Sequence, residues 1–158
     1  MNSTNDIHLV NCDLNPEIPQ GFCSINNGSQ HHRMGMIKLE LKDGKLYANS
    51  IEVVPYLSLS QQNGETIQGY SLFRGELKYQ KVLNACISDY LSEHPELIPE
   101  SWPTVVCFWG TILYQQQTRT CGTKFVVCLR RKNHRWRRFR IWLGTEFNEH
   151  MASVILAD

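Results

Sequence analysis

Nine lysines and arginines lie between Arg119 and Arg140, and no acidic residue lies among them. Within that span, Arg130-Arg131-Lys132-Asn133-His134-Arg135-Trp136-Arg137-Arg138-Phe139-Arg140-Ile141-Trp142 interleaves cations and aromatics at the two-residue period of a β-strand. Guanidinium groups neutralise phosphates and release their counterions, and an aromatic face stacks nucleobases. Arginine suits the task better than lysine, because its planar fork meets a phosphate bidentately and also stacks on rings. The candidate nucleic-acid-binding residues are therefore Arg119, Lys124, Arg130, Arg131, Lys132, Arg135, Trp136, Arg138, Arg140 and Trp142. A plainer role stands beside this one: Arg135 and Arg137 pair with an acidic part of the same chain, and either tryptophan is covered by the last element.

Other chemistry finds less support. Six cysteines are present (Cys12, Cys23, Cys86, Cys107, Cys121, Cys128), but none forms a C-x-x-C pair, and four lie in or near apolar runs. The expected role is a reduced, buried small hydrophobe. Cys12, Cys23, His31 and His32 make the one assembly with metal-ligand chemistry, at a spacing that matches no common finger, so no metal or cofactor is assigned. A cysteine nucleophile needs a histidine beside it, and His94, His134 and His150 are candidates without any fixed position. None of the nucleophile-elbow, P-loop, dinucleotide or H-E-x-x-H motifs occurs, so no catalytic residue is named. Glu93 with Glu96 and Glu146 with Glu149 sit near expected helix ends, where solvation or capping accounts for them. Asn2-Ser3-Thr4 and Asn27-Gly28-Ser29 match the glycosylation pattern, which carries no weight without a signal peptide.

The basic stretch has to be positioned by elements that the pattern outlines. Residues 1–33, rich in Asn, Ser, Gly and Pro, read as a loosely ordered arm, and 34–158 as a single domain. From Met34 to Val54 apolar and polar residues alternate on both sides of Asp43-Gly44, the signature of a β-hairpin. Tyr79, Leu83, Cys86, Ile87, Tyr90 and Leu91 recur at helical spacing, predicting a long amphipathic helix from Gly75 or Glu76 to Glu93, ended by Pro95. Three strands are expected over Thr104–Gln115, Lys124–Arg131 and His134–Leu143. The first is apolar on both faces and thus central, with Gly110 at a bulge or bend. Phe125, Val127 and Leu129 share a core face with Phe139, Ile141 and Leu143, leaving Trp136, Arg138, Arg140 and Trp142 on the opposite face. A short helix from Glu146 to Leu156, capped by Thr145, closes the chain.

These elements amount to an α+β domain built on a curved antiparallel sheet. The strand with a central glycine, the Gln/Thr-rich loop from Gln115 to Thr123 and the two alternating strands resemble part of a small curled barrel of the OB type. That resemblance implies single-strand binding across the sheet and rests on pattern alone. The length of 158 residues, with 42% hydrophobic and 20% charged, suits one globular domain and excludes collagen-like, coiled-coil and wholly disordered chains. The net charge of +1 hides an asymmetry: residues 1–100 carry 7 Lys/Arg against 12 Asp/Glu, and residues 101–158 carry 9 against 3. With no apolar run of membrane-spanning length and a polar N-terminus, a cytoplasmic protein without membrane contact is expected. The leading reading is a binding protein for nucleic acid, single-stranded in preference; an enzyme is the less favoured class, since absence of a motif does not exclude one. The rivals are an adaptor or inhibitor that docks an acidic protein surface through the same basic face, and a homo-oligomer that buries Trp136 and Trp142 between subunits.

Overall fold

The computed structural model describes residues 7–116 and 123–157. It is a mixed α/β fold made mostly of strands. A nine-stranded, mostly antiparallel open sheet has the order β1-β3-β4-β5-β11-β7-β8-β9, with β2 paired to β7, and a small second sheet joins β6 to β10. The strands are β1 (His8–Asn11), β2 (Gln30–His31), β3 (Met36–Lys42), β4 (Lys45–Ala48), β5 (Ile51–Tyr56), β6 (Ile67–Gln68), β7 (Val105–Gln115), β8 (Thr123–Lys132), β9 (Arg135–Trp142), β10 (Glu146–Phe147) and β11 (Met151–Leu156). The helices are α1 (Gly69–Ser71) and α2 (Ala85–Glu93). No described helix is long and apolar enough to cross a membrane.

Asp43 and Gly44, both at positive φ, connect β3 to β4, and Asn133 and His134 do the same between β8 and β9. Two successive left-handed residues match the twist of the strands they join, which is why Asn, Asp and Gly dominate such turns. The segment expected to be a loosely ordered arm contributes β1, which pairs with β3, and β2, which pairs with β7. A register shift between Phe108 and Ile112 marks a bulge in β7. Gly110 sits inside it because a side chain there would collide with the backbone: a Cβ would lie 2.8 Å from the Leu83 carbonyl. That close approach is used, since the Gly110 N–H donates to the Leu83 carbonyl at 2.8 Å.

Two expected helices are corrected. The long helix from residue 75 to 93 is only its second half, α2, which starts where the Asn84 side chain accepts the Cys86 N–H. Before it, Leu72–Glu76 forms a wide π turn and Leu77–Tyr79 a 3-10 turn. The chain then runs extended, with Val82 bridged to Ile155, so Tyr79 is 78% exposed instead of lying on the helix stripe. The closing helix over Glu146–Leu156 is instead β10 and β11. β11 lies between β5, antiparallel, and β7, parallel. Buried on both sides, Met151–Leu156 shows a continuous apolar run whose periodicity cannot separate strand from helix.

Apolar clusters cover both faces of the sheet. On one, Leu39, Leu46, Ile87, Leu91, Phe108 and Leu129 surround α2. On the other, Leu72, Leu77, Trp109, Val126, Leu143 and Phe147 pack together. Burying each such side chain contributes about 1.5–3 kcal/mol. Helix α2 packs against β7, β8 and β9 and also against β1, from the opposite end of the strand order, so the sheet bends around the helix.

Candidate functional site

The basic stretch forms the end of the sheet, and its register decides which side chains work together. Strands β8 and β9 pair Lys132 with Arg135, Arg131 with Trp136, Arg130 with Arg137, Leu129 with Arg138, Cys128 with Phe139, Val127 with Arg140, Val126 with Ile141 and Phe125 with Trp142. Residues directly opposite one another share a face, as do residues two apart along a strand. Trp136, Arg138, Arg140 and Trp142 therefore lie on one side of β9, as their spacing predicts. Their neighbours in β8, however, are Phe125, Val127, Leu129 and Arg131, on the face toward α2. The expected grouping of Phe125, Val127 and Leu129 with Phe139 and Ile141 is thus overturned; Phe139 and Ile141 pack with the other cluster. With apolar residues on both faces of β8, alternation within each strand could not reveal which face met which.

Most cations on the α2 face are already engaged. The Arg138 Nη1 donates to Asp89 Oδ1 at 3.0 Å and lies 4.0 Å from Glu17 Oε2. Its hydrogen bond with Asp89 holds the Arg138 guanidinium pKa above its ordinary value. Burial raises the Asp89 pKa despite the guanidinium beside it. The plainer role foreseen for Arg135 and Arg137, pairing within the chain, thus falls to Arg138. Arg140 lies 4.8 Å from the centre of the Phe22 ring and Arg131 lies 5.6 Å from that of Trp136, which is half-buried against the core. Trp142 remains 48% exposed, over Gly144. Lys124 is half-buried and paired with Tyr114 in β7, and Arg119 lies outside the described residues.

The opposite face of the same hairpin is different. Arg130 and Arg137 face one another, Lys132 and Arg135 face one another, and the two pairs are adjacent. All four side chains belong to exposed residues. With Asn133 they line a cleft of about 450 Å³. Among the described residues none of the four is in an ion pair; the Arg130 guanidinium rests on the Phe139 ring at 5.2 Å. Opposite positions on paired strands are about 5 Å apart at Cβ, and positions two apart about 7 Å. Like charges so placed destabilise a hairpin, and an anion set among them relieves the repulsion. Charge on an edge strand also blocks pairing with another sheet, which accounts for Arg135 and Arg137 on β9. It does not account for Arg130 and Lys132, because β8 is an interior strand.

The structure also brings together a cysteine and a histidine that spacing could not connect. Cys86 Sγ lies 3.7 Å from His31 Nε2, while the candidates His94, His134 and His150 are not its partners. The Asn84 Oδ1 accepts the Cys86 N–H, which fixes the amide so that its Nδ2 donates to the carbonyls of Cys12 and His32 and faces His31 Nε2 at 3.3 Å. The other ring nitrogen, Nδ1, is hydrogen-bonded with Thr111 Oγ1 at 2.7 Å. Burial pushes the Cys86 thiol up to about 11 and lowers the His31 pKa, so the resting pair is neutral. The Ala85 and Cys86 amides are occupied by Thr111 Oγ1 and Asn84 Oδ1, so neither is free to receive a developing oxyanion. The network anchors residues 12–32 to the start of α2.

No described group of three or more His, Cys, Asp and Glu side chains is arranged to hold a metal ion, which includes the set of Cys12, Cys23, His31 and His32. Cys107 and Cys128 oppose one another in the core with 3.2 Å between their sulfurs. Compared with protein-family models, curated proteins and solved structures, the chain matches none.

Proposed function

We propose that the chain is a nucleic-acid-binding domain whose primary contact is the square of exposed cations Arg130, Lys132, Arg135 and Arg137. The observation that carries this reading is the arrangement of four cations on one face of two paired strands, without a counter-charge among the described residues. Its spacing suits successive phosphates of a flexible strand, which adjusts to the cations, whereas a duplex presents its phosphates at fixed separation. The half-exposed Trp142 lies near the other end of β9 and on the opposite face from the square, so it offers a stacking ring to a single strand that passes over the sheet edge formed by β9. Arg137 joins the set, while Arg138 leaves it because Asp89 and Glu17 already hold its guanidinium. Arg131, Arg140 and Trp136 are secondary contacts in this reading. The likeness to an OB-type partial barrel enters only as a comparison of shape, through the bend of the sheet around α2.

The test is a titration of nuclease-treated protein with single-stranded and double-stranded oligonucleotides, followed by tryptophan fluorescence. Saturable binding to single strands, abolished when all four square residues are changed to glutamine, is the expected result. Equal binding by that variant and the parent overturns the site. No binding by the parent even at low salt overturns the function and moves the basic face to an acidic protein partner, whose docking it would steer in the same way.

A further inference from the structure

Beneath the irregular helical run that precedes α2 lies a cleft of about 590 Å³, remote in sequence from the basic hairpin. Its apolar wall is formed by Phe73, Leu77, Val82, Trp109 and Ile112. Arg74 and Lys78, one helical turn apart and both exposed, also line it, and no acidic residue does. Among the described residues neither cation is in an ion pair; Arg74 rests 5.3 Å from the Tyr70 ring and Lys78 5.0 Å from that of Tyr79. A largely apolar hollow of this size with two cations in its lining has the make-up of a small-molecule site.

Two further observations meet at the same place. Phe73 and Arg74 are displayed by the π turn Leu72–Glu76, a conformation that is rare and concentrated at functional sites. In the wall, Trp109 is 2% exposed, and its indole N–H has no acceptor among the described residues. A buried donor left without a partner is unfavourable and calls for a reason.

We propose that this cleft binds a small amphipathic carboxylate, with an aliphatic body against Leu77, Val82 and Ile112 and its carboxylate held by Arg74 and Lys78. The guanidinium offers two parallel donors that match a carboxylate, and the ammonium adds a point charge beside it. An aliphatic body fits better than a nucleobase, because Phe73 already stacks on Trp109, with centroids 5.7 Å apart and planes 18° apart. This inference is independent of nucleic-acid binding.

The test is isothermal titration calorimetry of the full chain with sodium octanoate and, as the uncharged control, 1-octanol. Saturable octanoate binding is expected, weakened about tenfold or more both for 1-octanol and for the Arg74→Gln/Lys78→Gln variant. Both substituted residues are exposed, so the variant keeps the fold. In parallel, the indole N–H resonance of Trp109, assigned by Trp109→Phe, should shift with octanoate and not with sodium acetate. Absence of saturable binding by the parent, equal binding of 1-octanol, or parent-like binding by the double variant overturns the proposal.

Discussion

If the cation square contacts phosphates and Arg138 does not, neighbouring arginines on one strand must differ in a measurable way. Each phosphate contact on a single strand contributes about −0.7 to the slope of log K against log salt, so four contacts give a slope of about −2.8. Between 50 and 200 mM salt, affinity should then fall by about 50-fold. The variant Arg130→Gln/Arg137→Gln removes one directly opposed pair. It should retain a slope of about −1.4 and lose only about sevenfold over the same range. Arg138→Gln, one residue away, should leave the slope unchanged, because its guanidinium is held by Asp89 at 3.0 Å. The assay is fluorescence anisotropy of a labelled oligothymidylate of about 12 nucleotides. Stability provides a second readout. Two unit charges about 6 Å apart in water repel by about 0.7 kcal/mol, so the double variant should unfold no more easily than the parent. An unchanged slope in the double variant, or an equal flattening in Arg138→Gln, refutes the assignment of the contacts.

Three further outcomes concern the scaffold. Asn84→Ala removes the cap of α2 and leaves the carbonyls of Cys12 and His32 without their donor; the cap alone is worth about 1–2 kcal/mol, seen as a lower denaturation midpoint at unchanged slope. Gly110→Ala puts a Cβ 2.8 Å from the Leu83 backbone and should cost about 1–3 kcal/mol; a parent-like thermal midpoint would contradict the close approach of Leu83 and Asn84, just before α2, to β7. Because burial lowers the His31 pKa, the unfolded chain takes up a proton first as pH falls. The stability due to neutral His31 is present above the ordinary value of 6.5 and lost as pH falls from there toward the lowered folded value. Denaturation of His31→Gln should lack that part of the pH dependence.

What could be read from the residues followed physical distance along the chain. The spans of β8 and β9 come from alternation and that of β7 from its continuous apolar run, and Gly110 declares a bulge because a strand interior otherwise avoids glycine. The alternation of β9 likewise separates Trp136, Arg138, Arg140 and Trp142 from Arg135 and Arg137. Nothing in one strand says which residue of its neighbour lies opposite. The square of Arg130, Lys132, Arg135 and Arg137 thus became visible only through the register. The proximity of His31 and Cys86, 55 positions apart, depends on how β2 docks on β7. β11 was hidden for another reason: a short apolar run satisfies strand and helix alike, and its position between two strands decides the matter.

That position has a consequence for biosynthesis. β11 follows every other described strand in the chain, yet it is the seam between β5 and β7. Until residue 156 is available, the earlier strands can form only two separate sheets, one of β1, β3, β4 and β5, the other of β2, β7, β8 and β9. Each leaves open the border that β11 will occupy, and such borders recruit other chains. Until β11 is made these two borders need protection, and a chain truncated just before β11 should aggregate although most of the described core residues are present.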